Sequence, residues 1–217
     1  HWRLCSWHWS CSIESHWVPY DKISANLKRA VLVSEDDIFF QHKGVRVEDM
    51  QKAWEKNQQH HQFNANSKVA LRGGSTITQQ FVKNALLTSD KSVSRKIKEL
   101  ILSIEIEKVY SKNEILGMYL NEIPYGNNAY GIYSASETYF NKEPKDLTLA
   151  ESALLASVPQ APTYYNPYGS NTDILMQRKD YTLDKMVALG LTTKDEADAA
   201  KKEEIKLVES IMDGLSK

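Results

Sequence analysis

Helical periodicity runs through this chain from Ser24 onward and constrains its fold more than any other feature. Apolar residues recur three or four positions apart, as at Leu27, Ala30 and Val31, and this spacing places them on one face of a helix. No run alternates polar and apolar residues convincingly enough to indicate a half-buried strand. The sequence therefore predicts a mainly α fold.

Short sequence signals predict where the helices begin and end. Three capping boxes mark helix starts, namely Ser111 with Glu114, Thr148 with Glu151, and Thr193 with Glu196. Four other helices are predicted: from Ser24 to the acids at 35–37, over 46–58, from Gly73-Gly74-Ser75 onward, and over Ser94–Tyr110. In the last of these, Ile97, Leu100, Ile101 and Ile104 recur at helical spacing. Polar and turn-forming residues predict loops at 58–68 and 124–131.

Length and charge limit the classes of protein. A chain of 217 residues fits one domain, or one domain with a small second lobe. The formal net charge of -1 excludes a strongly basic nucleic-acid binder, and no apolar run reaches the length of a membrane span. We assign the domain to residues 17–217 and treat 1–16 as an uncertain N-terminal segment. There Cys5 and Cys11 lie near His8 and His16, but the spacing fits no strong zinc template, and incidental or disulfide-forming cysteines are favoured.

Three adjacent acids, Glu35-Asp36-Asp37, follow the first predicted helix. Anions at a helix C-terminus oppose the helix dipole and repel one another. A carboxylate held near other acids and against an aromatic ring such as Phe39 would have a raised pKa, as a general base or acid working near neutral pH requires. Residue type alone favours the alternative of a solvated acidic turn.

Two later segments could bind an anion. Gly73-Gly74 permits close backbone approach, and Ser75 or Thr76 can cap a helix whose N-terminus faces a phosphate. Further on, Arg95 and Glu99 are four residues apart on one helix. An ordinary capped helix and a surface ion pair, contributing about half a kcal/mol, remain the alternatives.

The order and wording of these motifs resemble those of the family 51 glycosyltransferases. These are the peptidoglycan polymerases that occur as monofunctional enzymes and as the first catalytic domain of class A penicillin-binding proteins. The resemblance covers roughly residues 17–203. It rests on Glu35, Asp36, Phe39, His42 and Gly44 for the first motif, Gly73 to Gln80 with Lys83-Asn84 for the second, Arg95, Lys96 and Glu99 for the third, and Lys112, Ile115, Leu116, Tyr119, Leu120 and Asn121 for the fourth.

The resemblance implies a lysozyme-like large lobe with a small membrane-facing lobe, on the outer, periplasmic face of the bacterial cytoplasmic membrane. It also implies an anchoring N-terminal helix missing from this chain. The substrates would be lipid II and the growing glycan strand. Other cell-wall synthesis and division proteins would be partners, and nucleic acid would not. A divalent cation, Mg²⁺ or Mn²⁺, could accompany the pyrophosphate, although no dedicated metal-ligand cluster is visible.

The resemblance also implies roles for individual residues in an inverting transfer that forms a β-1,4 bond and releases polyprenyl pyrophosphate. Glu35 would be the general base, and Glu99 a second catalytic acid on the donor side, orienting the cations or steadying positive charge at the sugar. The implied substrate-binding residues are Asp36, Phe39, His42, Ser75, Thr76, Gln79, Gln80, Lys83, Asn84, Lys91, Arg95 and Lys96. Among these, Asp36 and His42 are expected to support Glu35.

Two rival functions remain open at this stage. One is a lysozyme-like hydrolase that cleaves glycan, since glycosidases also place carboxylates around a sugar bond. The other is a non-catalytic domain that binds lipid II or tethers partners. The sequence also leaves open whether the chain is a monofunctional enzyme or part of a class A penicillin-binding protein.

Overall fold

The computed structural model describes residues 16–46, 75–87 and 92–209, and it confirms the mainly α class. The α-helices are α1 (Ala25–Glu35), α2 (Ile77–Ala85), α3 (Val93–Val109), α4 (Lys112–Glu122), α5 (Gly131–Phe140), α6 (Leu149–Ser157), α7 (Thr172–Ala188) and α8 (Lys194–Lys202). Short 3-10 helices cover Tyr20–Lys22 and Pro144–Asp146. In these three ranges, β pairing is limited to an isolated bridge between Pro124 and Tyr130. The predicted helix at 46–58, beyond its first residue, and the predicted loop at 58–68 lie outside the described residues.

Hydrogen bonds at the helix starts confirm the predicted capping boxes. The side chains of Thr148 and Thr193 each accept from the backbone N–H three residues on, and the glutamates there return the bond. Ser111 and Glu114 exchange the same pair of bonds. A fourth box begins α2: Thr76, one of the two caps predicted there, is the N-cap, and its partner Gln79 was not predicted. Each cap satisfies backbone donors that the helix leaves unpaired.

The chain divides into two compact units, of which the first comprises His1–Asp37 and Leu116–Lys217. Helix α6 lies at its centre, packed against α1, α7 and α8. All eight residues from Ala150 to Ser157 are buried, as expected of a helix surrounded by other elements. Helix α1 is packed against α6 and α7, and the acidic residues follow at its C-terminal end.

The second unit, Ile38–Ile115, contains α2 packed on α3. Helix α3 is confirmed, but its apolar face points outward: Ile97, Ile101 and Ile104 are 52%, 56% and 39% exposed. The opposite face is polar and buried, with Glu99 and Ser103 at 1% and 0% exposure. This arrangement reverses the usual one for a helix of a globular protein.

Candidate active site

The predicted acidic cluster lies at the end of α1. Glu35 is the last residue of the helix, and the Asp36 backbone N–H donates to the Leu32 carbonyl at 2.9 Å. Asp36 is only 1% exposed, Glu35 is half-buried, and Asp37 is exposed. The solvated acidic turn that residue type alone favours therefore describes Asp37 and not the other two.

Two buried tyrosines of the same unit lie within electrostatic range of Glu35. Tyr119 and Tyr125 are both fully buried, and burial raises the pKa of each hydroxyl. The negative charge of Glu35 raises both pKa values further, and Asp36 adds to the effect on Tyr119. Both phenols are therefore protonated at any working pH. The sequence places Tyr119 in the fourth motif but indicates no role for it. Tyr125 could not be singled out from the sequence, because its burial depends on the fold of a loop.

In the second unit, the segment Phe39–Gly44 is packed at both of its ends. Phe39 is fully buried, and its ring meets that of His42 edge-on, with 5.9 Å between centroids. Gly44 has a φ of +86°, and a β-carbon there would lie 2.6 Å from the Ser103 carbonyl oxygen. The Thr76 hydroxyl donates to the Gly44 carbonyl at 2.6 Å, which joins the first motif to the start of α2.

Glu99 is the centre of a polar cluster formed by α2 and α3, which we call the Glu99 cluster: Ser75, Gln79, Arg95, Lys96 and Glu99. Gln79 Nε2 donates to Glu99 Oε1 at 3.4 Å, and Lys96 Nζ donates to the same oxygen and to Ser75 Oγ at 3.1 Å. Arg95 approaches Glu99 Oε2 at 3.8 Å. Because the Glu99 side chain is 2% exposed, this is a buried acid with two cations, and the surface ion pair considered from the sequence is ruled out.

Other predicted substrate-binding residues differ in their accessibility. Lys83 and Asn84 on α2 are exposed, whereas Gln79, one turn earlier, is fully buried. Gln80 is half-buried and donates from Nε2 to the Ser75 carbonyl at 3.4 Å. Lys91, Gly73 and Gly74 lie outside the described residues. The structure thus brings Ser75, Gln79, Arg95, Lys96 and Glu99 together in one cluster and leaves Lys83 and Asn84 accessible near the end of the same helix.

Comparison with known proteins matches residues 7–187 to the model of the transglycosylase family. The chain belongs to this family. A penicillin-binding protein 1A of Clostridium botulinum (strain Langeland) is 42% identical over 194 residues, which is 86% of this chain and 23% of that protein. Penicillin-binding protein 1F of Bacillus subtilis is 40% identical over 183 residues, 84% of this chain and 24% of that protein. A crystal structure of penicillin-binding protein 1A from Haemophilus influenzae matches with a TM-score of 0.42 and 30% identity, covering 62% of this chain and 17% of that one.

Family membership identifies the chain as a peptidoglycan glycosyltransferase domain and confirms the resemblance to family 51. The chain spans less than a quarter of the length of these curated relatives. No helix within residues 16–46, 75–87 and 92–209 is long and apolar enough to cross a membrane. The individual residue roles stay predictions.

The acids that the structure describes in this transglycosylase do not form a metal site. Over the described ranges, no three His, Cys, Asp or Glu side chains come together as metal ligands. Both oxygens of Glu99 already face cations, and hard divalent ions need several free oxygen ligands. The described residues therefore form no cluster that would hold Mg²⁺ or Mn²⁺ by themselves, and the divalent cation expected with the pyrophosphate stays a prediction. Cys5, His8 and Cys11 lie outside the described residues.

Proposed function

We propose that this domain polymerises lipid II into β-1,4-linked glycan strands and releases polyprenyl pyrophosphate. The observation that carries the proposal is the Glu99 cluster, in which a buried acid holds Arg95 and Lys96 before substrate arrives. Negative charge develops on a departing pyrophosphate, and preorganised cations stabilise such charge without reorganising. Hydrolysis of a glycan has no phosphate leaving group, so the cluster favours the polymerase over the hydrolase.

The members of the Glu99 cluster differ in how accessible they are, and we propose different tasks for them on this basis. Glu99 is too deeply buried to touch the sugar, so of its two implied roles we favour the orientation of Arg95 and Lys96. The Lys96 side chain is 42% exposed and can reach a phosphate directly. Arg95 retains a buried donor, Nε, with no acceptor among the residues that the structure describes. Glu99 is accordingly a positioning residue in this proposal.

On α2, we propose different roles for the buried and the exposed residues. Thr76 and Gln79 are 1% and 0% exposed, and their polar atoms are bonded within the protein, so they hold the site in shape. Lys83 and Asn84 are exposed and would contact phosphates and sugars, together with Lys91. Ser75 and Gln80 are half-buried, so they are more accessible than Thr76 and Gln79 and less accessible than Lys83 and Asn84.

Glu35 is proposed as the general base that takes the proton from the 4-hydroxyl of the acceptor sugar. Glu35 is half-buried, so part of it is accessible, and its charge acts on the buried tyrosines Tyr119 and Tyr125. A general base must be within reach of the hydroxyl proton that it removes, and a half-buried carboxylate at the end of a packed helix can meet this requirement. Attack on an α-linked pyrophosphate would then invert the anomeric centre.

The test of this proposal is the substitution Glu35→Gln, which preserves shape and removes the base. Polymer formed from lipid II should fall by at least about 100-fold, since general base catalysis contributes that much or more. Glu143→Gln, an exposed acid of the same unit, is the matched control and should leave the rate unchanged. Wild-type activity in Glu35→Gln would refute the assignment of the base, and release of fragments from finished wall in place of polymer would favour the hydrolase.

The outward isoleucines of α3 support a position on the membrane surface. Ile97, Ile101 and Ile104 form an apolar stripe, which we call the isoleucine stripe, along a helix whose other side carries the Glu99 cluster. Apolar side chains on the outside of a helix are favourable in the boundary region of a bilayer. We propose that this stripe rests on the outer face of the cytoplasmic membrane, where a lipid-linked substrate is found.

A further inference from the structure

A buried carboxylate that belongs to none of the four motifs connects three of them. The Oε1 atom of Glu107 on α3 accepts from the Thr78 hydroxyl at 2.5 Å and from Lys112 Nζ at 2.7 Å. Thr78 belongs to the second motif and Lys112 to the fourth. The Lys112 ammonium also lies 4.3 Å from the centre of the Phe39 ring, which belongs to the first motif. We call Glu107, Thr78, Lys112 and Phe39 the Glu107 network.

Stability alone does not explain this network. The Glu107 and Lys112 side chains are 7% and 18% exposed, so both charges are largely desolvated. Replacing a buried ion pair with apolar groups of similar volume is often neutral or stabilising, because the desolvation cost offsets the attraction. The ion pair instead fixes a position, since Glu107 holds the ammonium in place over the face of Phe39.

The ion pair between Glu107 and Lys112 acts on the Phe39–Gly44 segment, which contacts this part of the second unit at both ends. Phe39 contacts His42 edge-on, and Gly44 lies against the Ser103 carbonyl one turn before Glu107 on α3. A β-carbon at Gly44 would also lie 3.1 Å from Glu107 Cγ. Both ends of the segment therefore meet the same stretch of α3, one through Lys112 and the other directly.

We propose that Glu107 is a positioning residue for glycosyl transfer, which acts through Lys112 and Thr78 to hold the Phe39–Gly44 segment in its reactive conformation. The inference rests on the proposed polymerase function. Displacement of a catalytic segment by about 1 Å can reduce a rate by about 100-fold, so loss of the network should be visible in the kinetics.

The experiment compares three variants in detergent-solubilised lipid II polymerisation. Glu107→Gln removes the charge and leaves Lys112 without its ionic partner, so both the melting temperature and kcat should fall. The double variant Glu107→Gln/Lys112→Met removes the pair together and should recover the melting temperature. Glu105→Gln is the matched control, because Glu105 pairs with Lys108 on the same helix but both side chains are more than half exposed.

The double variant separates a positioning role from a structural one. We expect its kcat and kcat/KM to fall equally, by about tenfold or more, while its melting temperature returns to that of the wild type. Amide hydrogen exchange of residues 38–46 should be faster than in the wild type, and unchanged in Glu105→Gln. Recovery of wild-type kcat together with stability would overturn the proposal.

The exchange measurement also distinguishes this proposal from the proposed function. If the wild-type protein forms no polymer, the polymerase assignment fails, yet faster exchange in the double variant would still show that Glu107 holds the segment. Unchanged exchange in the double variant would overturn the positioning role whether or not the wild type is active.

Discussion

The buried tyrosines Tyr125 and Tyr139 allow a paired test, because their hydroxyls differ in hydrogen bonding within the part of the chain that the structure describes. Both side chains are fully buried. The Tyr139 hydroxyl donates to the Tyr125 carbonyl at 2.8 Å, whereas the Tyr125 hydroxyl has no hydrogen-bond partner among the residues that the structure describes. Substitution by phenylalanine removes one oxygen in each case and leaves the ring, so the two variants differ in hydrogen bonding alone.

Tyr139→Phe should destabilise the protein and Tyr125→Phe should stabilise it. Loss of a made hydrogen bond costs about 1 kcal/mol, and removal of an unpaired buried hydroxyl relieves about 1 kcal/mol or more of desolvation. For a chain of this size, 1 kcal/mol corresponds to about 3 °C in the melting temperature, so the two variants should differ by roughly 6 °C. Burial raises the pKa of both hydroxyls, so neither ionises at neutral pH and the comparison does not depend on the buffer.

Thermal and urea unfolding of the wild type and both variants would measure the difference. The urea m-value should stay constant, because neither change alters the surface exposed on unfolding. If Tyr125→Phe destabilises the protein as much as Tyr139→Phe does, the Tyr125 hydroxyl has a partner in solution, such as a buried water, and the reasoning is refuted.

Two further predictions concern the second unit. Replacing Ile97 and Ile101 together with serine should weaken co-sedimentation with phosphatidylglycerol vesicles, because the isoleucine stripe loses its apolar surface. The control is Leu189→Ser, at a residue of the first unit that is 53% exposed. Equal binding by the wild type and both variants would contradict a membrane role for the stripe. Gly44→Ala should lower the free energy of unfolding by more than Gly190→Ala does. Both glycines have positive φ, but of the two only Gly44 has backbone atoms within 3 Å of the added carbon. Equal losses of free energy in urea unfolding would show that the close approach to Ser103 is unimportant.

Sequence reasoning recovered the features that depend on local spacing. The capping boxes at Thr148 and Thr193 are set by residues three positions apart, and the Arg95–Glu99 pair by residues one helical turn apart. Such contacts form wherever the helix forms, so a pattern suffices to predict them. The helical class followed from the same local signals.

The features that sequence reasoning missed depend on what packs against each helix. Glu107 bonds to residues 5 and 29 positions away, and the ring beneath its lysine partner is farther still along the chain. The Tyr125 hydroxyl, which has no partner within residues 16–46, 75–87 and 92–209, is buried by the packing of a loop that the sequence identifies only as a turn. Periodicity found the apolar face of α3 but could not show that this face points outward.

The reversed polarity of α3 connects the proposed chemistry of this domain to its proposed position on a membrane surface. On α3 the inner face carries the buried acids Glu99 and Glu107, each beside a cation, and the Glu99 cluster is the part that we propose faces the charged leaving group. Ion pairs and hydrogen bonds on this face connect α3 to α2 and α4, and the apolar residues Leu100, Leu102 and Ile106 of the same helix are half-buried. The isoleucines that would otherwise form a core are left on the outside, where water disfavours them and a lipid surface would not. On this argument, the proposed anion site and the isoleucine stripe both follow from which face of α3 is turned inward.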